Sequence, residues 1–179
     1  AANGFDTENH NLAIGTDALG GSVAGGEYNI AIGNASLDAL TSGDNNTVVG
    51  YNAGTAVTTA AKVTALGGFA CQSVTTGGSN IGIGYKANGG SNDETNNLGI
   101  GVNALTGSVN GGEYNIAIGN SSLDALTSGD QNVAMGYAAG GALNSGSNNV
   151  FIGNSAGIAQ TTASNNVLIG GDAGAALTT

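Results

Sequence analysis

One short phrase recurs ten times along the chain at nearly constant spacing. Each copy reads Asn, aliphatic, variable, aliphatic, Gly, two variable residues and then Ala or Ser. The copies follow one another at intervals of seventeen residues, except for two of eighteen. The Gly of each copy, here called the marker Gly, lies at Gly15, Gly33, Gly50, Gly67, Gly84, Gly101, Gly119, Gly136, Gly153 and Gly170. A fixed period this short predicts a solenoid of stacked coils and not a globular core.

Two aliphatic rows emerge when the copies are aligned, a row being the residues at one position of successive copies. The row immediately before the marker Gly contains no polar residue, and we predict that it forms the core: Ile14, Ile32, Val49, Leu66, Ile83, Ile100, Ile118, Met135, Ile152 and Ile169. The row three places before it consists of Leu12, Ile30, Thr47, Thr64, Ile81, Leu98, Ile116, Val133, Val150 and Val167. This alternation, together with the many β-branched side chains, predicts a β-strand in each copy.

Small residues lie between and beyond the aliphatic rows. The row between them is usually Ala or Gly, and we expect its exceptions Phe151 and Leu168 to face a partner chain. Three places after the marker Gly every copy has Ala or Ser, from Ala18 to Ala173. A row this uniformly small indicates a tight interior in which a longer side chain would clash.

Asn precedes the aliphatic rows in nine of the ten copies, and Val63 replaces it in the other. This row consists of Asn11, Asn29, Asn46, Asn80, Asn97, Asn115, Asn132, Asn149 and Asn166. Asn is unfavourable inside strands and common in turns, so one interpretation is that these residues only form turns. The other is a structural ladder in which each side-chain amide bonds to the next.

Seventeen residues suit one coil of two short strands and two turns. A single coil cannot fold alone, because ordering its backbone costs roughly 1–2 kcal/mol per residue and it buries few apolar side chains. The predicted fold class is therefore all-β: a parallel β-roll, or β-solenoid, of about ten coils of 17 residues that stabilise one another by stacking.

A longer repeat is superimposed on the short one. Glu27–Asp44 and Glu113–Asp130 differ only at Ala35 versus Ser121, and equivalent residues are 86 positions apart. We predict a leading segment over 1–10, a first five-coil module over 11–96 and a second over 97–179, joined as one continuous solenoid. The fourth coils of the two modules differ most. Because neither end carries a polar cap, we expect a slice of a longer array or a unit that stacks end to end.

The chain is acidic, with twelve carboxylates against Lys62 and Lys86 and a net charge of −10. This balance disfavours nucleic acid and anionic membrane surfaces as partners and helps to keep a long rod soluble. No stretch is long and apolar enough to cross a membrane, so we expect no membrane insertion. The 34 Gly residues suggest disorder as an alternative, but the unbroken aliphatic rows argue against it.

Catalytic, metal and cofactor sites are not predicted. His10 is the only His and Cys71 the only Cys, which disfavours a nucleophilic triad, a disulfide framework and a thiolate metal cluster. We expect Cys71 to be a small packed residue. Gly82–Ala87 fits a dinucleotide fingerprint, but the phrase returns after seventeen residues, whereas such a site needs a following helix. The calcium nonapeptide of β-rolls is absent, and we expect no enzyme activity.

All five Tyr residues lie near the strand phrase. Three follow the marker Gly and two precede the Asn row: Tyr51, Tyr85, Tyr137, Tyr28 and Tyr114. They are either contacts for glycans or proteins or packing residues against a neighbouring chain, and packing is slightly favoured.

Several phrases of the chain resemble the head repeats of trimeric autotransporter adhesins of the YadA type: NIAIGNASLDAL, NIAIGNSSLDAL, NIGIGYKANGG and NNVFIGNSAG. Related repeats occur in bacteriophage tail fibres. The resemblance covers the chain from Asn11 to Ala173. It implies a left-handed parallel β-roll, three chains side by side about a threefold axis, surface exposure and attachment. It also implies that Ile32, Ile83, Ile118 and Ile152 point inward.

The function that we predict is a structural rod in an extracellular, cell-surface or virion fibre that is trimeric and adhesive. Its partners are copies of itself, as a homotrimer or an end-to-end filament, and a host or surface protein or glycan. The alternative is a self-assembling extracellular filament with a purely structural role. A third hypothesis, an ice-binding solenoid, is disfavoured because the Thr47 and Thr64 pair and Thr58–Thr59 do not repeat on most coils.

Overall fold

The computed structural model describes residues 4–6, 10–90, 92–108 and 110–178, with side chains from residue 10 onward. One sheet contains eleven strands in chain order: β1 Gly4–Asp6, β2 Asn11–Ile14, β3 Ile30–Ile32, β4 Thr47–Val49, β5 Thr64–Leu66, β6 Ile81–Ile83, β7 Leu98–Ile100, β8 Ile116–Ile118, β9 Val133–Met135, β10 Val150–Ile152 and β11 Val167–Ile169. Strands β2 to β11 pair in parallel and in register, as Ile116 does with Val133. The chain is a β-solenoid of about nine turns with about 17 residues per turn, which confirms the predicted fold class and period.

Each coil from β3 onward contains one three-residue strand, and turns and bends form most of the remaining described backbone. The prediction of a second strand in each coil is wrong. The cause is the backbone conformation, because three residues per coil have left-handed φ, for example Ser121 at 56°, Leu123 at 48° and Gln131 at 56°. Such residues turn the chain and cannot continue an extended strand.

The marker Gly ends each strand, and a residue with a side chain would be strained there. Its φ lies between 124° and 149° over the ten copies. The next coil also passes directly over it: a Cβ built on Gly33 would lie 2.4 Å from the carbonyl oxygen of Gly50. Conformation and close approach together explain why every copy has Gly at this position.

Hydrogen bonds between coils continue through the turns. The backbone N–H of Leu37 donates to the carbonyl oxygen of Ala53 at 3.1 Å, and that of Thr41 donates to Thr58 at 2.9 Å. Both pairs lie outside the strands. Stacking therefore satisfies polar backbone groups in the turns as well as in the sheet.

The first of the two eighteen-residue coils absorbs its extra residue in a bend. There the N–H of Val23 donates to Gly21 at 3.1 Å, and the N–H of Ala24 already donates to Thr41 in the next coil at 2.9 Å. The extra residue is thus confined to this corner, and the coil-to-coil register is restored at Ala24.

The interior of the solenoid is lined by the row between the two aliphatic rows, here called the inner row. Its members Ala31, Val48, Ala117 and Phe151 are fully buried. The predicted core row points outward instead: Ile14, Ile32, Val49, Leu66, Ile83, Ile100, Ile118, Met135, Ile152 and Ile169 are half-buried or exposed, up to 67%. Strand alternation separates two faces without identifying the inward one, and this thin coil encloses the smaller side chains.

A second buried row lies opposite the inner row, four residues after each marker Gly, and we call it the opposing row. Where the inner residue is Ala31, the opposing residue is Leu37; where it is Phe151, the opposing residue is Gly157. A Cβ built on Gly157 would lie 2.8 Å from the Phe151 ring, as would one on Gly140 in the preceding coil. The expectation that Phe151 faces a partner chain is therefore wrong, because its ring fills the space beside Gly140 and Gly157.

The two ends of the sheet differ. Strand β1 runs antiparallel to β2 and covers its outer edge, with Phe5 opposite Leu12. At the other end Val167 and Ile169 of β11 are 66% and 67% exposed. The edge of β2 is thus already paired, whereas β11 pairs on one side only.

Candidate functional site

The outward side chains of β2 to β11 form a continuous surface along the rod. It consists of the two aliphatic rows on either side of the inner row, and we call it the strand face. Parallel pairing in register places equivalent side chains over one another, as Ile118 over Met135. Apart from Thr47 and Thr64, every residue of the strand face is apolar. The face is therefore an uninterrupted aliphatic strip on most coils.

The five Tyr residues lie along the two edges of the strand face. Tyr28 and Tyr114 lie on the edge before the Asn row, and Tyr51, Tyr85 and Tyr137 lie on the edge after the marker Gly. All of them are between 48% and 60% exposed. Tyr is enriched at protein interfaces because it combines a large apolar ring with a hydrogen-bonding tip.

Carboxylates are absent from the strand face and from both edges over the described side chains. They lie on the other sides of the coil: Asp17, Glu27, Asp38, Asp44, Asp93, Glu94, Glu113, Asp124, Asp130 and Asp172. Lys62 lies on one edge, in the row of Tyr28 and Tyr114. Charged residues are depleted at the cores of protein interfaces, and like charges repel between copies. A chain of net charge −10 thus has one face that another copy can approach without repulsion.

The predicted Asn ladder is present, and it lies inside the solenoid. Asn132 and Asn149 are fully buried. The side-chain oxygen of Asn132 accepts the backbone N–H of Asn149 at 3.1 Å and its side-chain amide at 2.9 Å. The same amide donates to the carbonyl oxygen of Ala163 at 2.8 Å. Each such Asn therefore both stabilises a turn and bonds to its neighbour in the next coil.

The ladder is interrupted at Val63, which is also fully buried. The side-chain oxygen of Asn46 accepts the backbone N–H of Val63 at 2.8 Å. Val has no amide with which to continue the side-chain bonds. The ladder resumes where the N–H of Asn97 donates to the side-chain oxygen of Asn80 at 3.0 Å.

Carboxylates on the turns accept hydrogen bonds from neighbouring coils. Asp44 accepts the backbone N–H of Glu27 at 2.8 Å. Asp93 accepts the hydroxyls of Thr75 and Thr76, which lower the pKa of its carboxyl. Within the described residues no three His, Cys, Asp or Glu side chains are grouped so that they could hold a metal ion. The absence of metal, cofactor and enzyme activity stays a prediction.

His10 and Cys71 occupy unrelated environments. The ring of His10 stacks on that of Tyr28 with centroids 4.8 Å apart. Cys71 is fully buried in the opposing row, and burial raises the pKa of its thiol to about 12. Cys71 is therefore the small packed residue that was predicted, and its thiolate is strongly disfavoured.

A row of Thr and Asn on a turn escaped the sequence analysis. It consists of Thr41, Thr58, Thr75, Asn92, Asn110, Thr127, Asn144, Thr161 and Thr178, and backbone N–H groups donate to the next carbonyl oxygen from Thr41 to Asn92 and from Asn110 to Thr161. Hydroxyls of this row donate to the next carbonyl, as Thr41 does to Thr58 at 3.0 Å. We call it the hydroxyl row. The Thr58–Thr59 pair does not repeat on most coils, as predicted, but Thr at the position of Thr58 alone recurs at Thr41, Thr75, Thr127, Thr161 and Thr178.

Gln160 is a second feature that the sequence did not indicate. It is 1% exposed and lies in a buried row with Val74 and Leu143. Neither its side-chain nitrogen nor its oxygen has a hydrogen-bond partner. A buried amide without partners is destabilising.

Fold and surface together define a class, a β-solenoid rod with an uncharged aliphatic side. Comparisons with family models, curated proteins and solved structures found no match to this chain. In the described part of the chain there is no helix with the length and hydrophobicity needed to span a membrane.

Proposed function

We propose that this chain is a structural rod of an extracellular or cell-surface fibre, or of a virion fibre, in which copies associate side by side. The strand face carries this proposal, because its aliphatic rows lack carboxylates on a chain of net charge −10. The fibre formed in this way presents an adhesive surface to a host or surface protein or glycan, as the resemblance to adhesin heads implies.

Association through the strand face would remove its remaining apolar surface from water. Each Å² buried contributes about 25 cal/mol, and the gain recurs on each coil because the rows run through ten strands. Continuous exposed apolar surfaces are unusual on monomers and mark interaction sites. Three chains are proposed because the resemblance implies a threefold axis, about which each strand face meets two neighbours.

The proposal is tested by the mass of the assembly. Sedimentation equilibrium and light scattering should give three chains for the native protein. Ile118→Glu, in the middle of the strand face, should give single chains, because burying an unpaired carboxylate in an apolar interface is strongly unfavourable. Ser128→Glu, at an exposed position on another side of the coil, is the matched control and should leave the trimer intact.

Circular dichroism should show the same fold in both variants, since neither change touches the inner row. Single chains of native protein at high concentration would reject side-by-side association. Species whose mass grows with concentration without limit would indicate the end-to-end filament instead.

A second candidate function, ice binding, is favoured by the hydroxyl row. Its Thr residues repeat at the coil spacing, about 4.8 Å for parallel strands, and Asn92, Asn110 and Asn144 interrupt the hydroxyls. Thermal hysteresis tests this function: the native protein should depress the freezing point below the melting point, and Thr58→Glu should abolish the effect. Equal freezing and melting points for the native protein would reject ice binding.

A further inference from the structure

Three aromatic rings from three successive coils of the first module lie against one another. The rings of Tyr51 and Phe69 have centroids 5.4 Å apart at 84°, and those of Phe69 and Tyr85 have centroids 5.7 Å apart at 78°. Tyr51 and Tyr85 are 56% and 48% exposed, and Phe69 is half-buried. Edge-to-face packing thus joins the three coils in one aromatic strip parallel to the rod axis.

The backbone holds this strip in place. The N–H of Phe69 donates to the carbonyl oxygen of Tyr51 at 2.9 Å, and the N–H of Lys86 donates to Gly68 at 3.0 Å. Gly68 occupies the position that Tyr51 and Tyr85 have in their own coils, so the Phe69 ring lies between the two Tyr rings. Phe69 has a φ of 60°, which costs a residue with a side chain roughly 1–2 kcal/mol. Folding does not require an exposed aromatic ring at this strained position.

The strip also carries a positive charge in a neutral surrounding. The Lys86 ammonium lies 5.6 Å from the centroid of the Tyr85 ring, and we call the three rings and Lys86 the aromatic cluster. The turn segments 51–58, 68–75, 85–92 and 102–108 contain no Asp or Glu. A ligand carboxylate at Lys86 would therefore meet attraction on a chain that elsewhere repels anions.

The second module lacks this cluster at equivalent positions. Tyr137 is retained, but Ser155, Gly171 and Asp172 stand where the first module has Phe69, Tyr85 and Lys86. The solenoid therefore forms without the rings, and the charge at the last position is reversed. A contact between copies that repeats on every coil does not account for a cluster present once.

We propose that the aromatic cluster binds an acidic oligosaccharide built of uronic acids. The C–H bonds of a pyranose ring carry partial positive charge and pack on aromatic faces, which are negative. A sugar carboxylate would pair with Lys86. Tyr51 and Tyr85 are two coils apart, about 10 Å at the spacing of parallel strands, so the strip suits a linear chain of more than one sugar ring. This inference rests on the adhesive part of the proposed function and names its ligand class.

Calorimetric titration with trigalacturonate and with its neutral methyl ester tests the inference. Trigalacturonate should bind the native protein, and the ester should bind about tenfold more weakly because it lacks the charge for Lys86. Lys86→Asp and Phe69→Ser copy the second module, and each should weaken trigalacturonate binding by about tenfold or more. Lys62→Asp removes the other Lys and Tyr137→Ser removes an isolated Tyr, and both controls should bind as the native protein does.

The mass of each variant is measured in the same samples, so failure of assembly and failure of sugar binding are distinguishable. Absence of binding at millimolar sugar, equal binding of acid and ester, or an unchanged affinity in Lys86→Asp would each overturn the proposal. Binding of 3′-sialyllactose without trigalacturonate would overturn the assignment to uronic acids. Dissociation of the assembly by Phe69→Ser, without loss of sugar binding, would show that the cluster is a contact between copies.

Discussion

The fourth coils of the two modules, 63–79 and 149–165, form the same turns and the same three-residue strand around different interiors. In the first module Ala65 of the inner row is opposite Cys71, and in the second Phe151 is opposite Gly157. The first pair is two small residues, whereas the second is a large aromatic ring beside a residue without a side chain. One backbone therefore accommodates two differently packed interiors.

The same two coils differ in where their Phe ring lies: one ring is inside the solenoid and the other is on its outer surface. Phe151 is fully buried, whereas Phe69 of the first module lies on the outer surface and Ser155 is its counterpart. The two coils differ at thirteen of their seventeen positions, yet each pairs with the following strand in the same parallel register. The coil therefore tolerates exchange of its buried residues while the marker Gly is kept.

The largest expected effect comes from emptying the second of these interiors. Phe151→Ala should lower the free energy of unfolding by about 3–5 kcal/mol, because Gly140 and Gly157 leave a cavity beside it. Adding Gly157→Cys recreates the pair of the first module and should restore part of the loss. Urea unfolding followed by circular dichroism measures both, and a double variant no more stable than Phe151→Ala would show that a side chain at position 157 does not fill the cavity.

A smaller effect is expected at the Asn ladder, where the fourth coil of the first module has Val63 and that of the second has Asn149. Asn149→Val copies Val63 and should cost about 1–3 kcal/mol, because the bonds from Asn166 to its side-chain oxygen are lost. The reciprocal Val63→Asn should stabilise the protein by about 1 kcal/mol by completing the ladder. Equal unfolding midpoints for both variants and the native protein would show that the ladder is energetically neutral.

Gln160 and its counterpart Val74 provide a third exchange. Gln160→Val should raise the free energy of unfolding by about 2 kcal/mol, because it removes two buried polar atoms without hydrogen-bond partners. Val74→Gln is the reverse change and should lower it by a similar amount. Thermal unfolding of the two variants measures the effect, and a less stable Gln160→Val protein would mean that the amide is satisfied in solution.

The smallest effect is confined to alkaline solution and to the first module. Burial raises the pKa of the Cys71 thiol from 9.0 to about 12, so above pH 9 the unfolded chain loses this proton while the folded chain keeps it. The stability from this group is complete below pH 9 and is lost progressively toward pH 12. Between pH 8 and pH 10 the native protein should lose about 1.4 kcal/mol more than Cys71→Ala, which isolates the thiol from the Tyr residues. An equal loss in both proteins would place the thiol in contact with water.

Local features of the coil were predictable because they depend on single positions. The marker Gly, the Asn row and the small row each follow from conformation or close approach at one place, and the structure contains all three. The inward face of the strand was predicted wrongly. Alternation identifies the core when one face is polar, but here both faces are apolar, and both Ala31 and Ile32 fit a buried position.

The sequence does identify the inward face, but only through pairs of one large and one small residue that lie six positions apart. Leu37 accompanies Ala31, and Gly157 accompanies Phe151, six residues later in each case. Such compensation is expected only of side chains that share one confined space. The aromatic cluster could not be predicted in the same way, because it depends on how Phe69 and Tyr85 are placed by two separate coils.

The bend that holds the extra residue near Gly21 and Val23 has a practical consequence. The hydrogen bond from Ala24 to Thr41 is the same as in coils without the extra residue, so the length of this corner does not affect the pairing with the next coil. A longer segment whose ends lie close together can be spliced there at little cost in loop entropy. The rod can in this way display a foreign peptide, or an entire folded domain, on its flank at a chosen height.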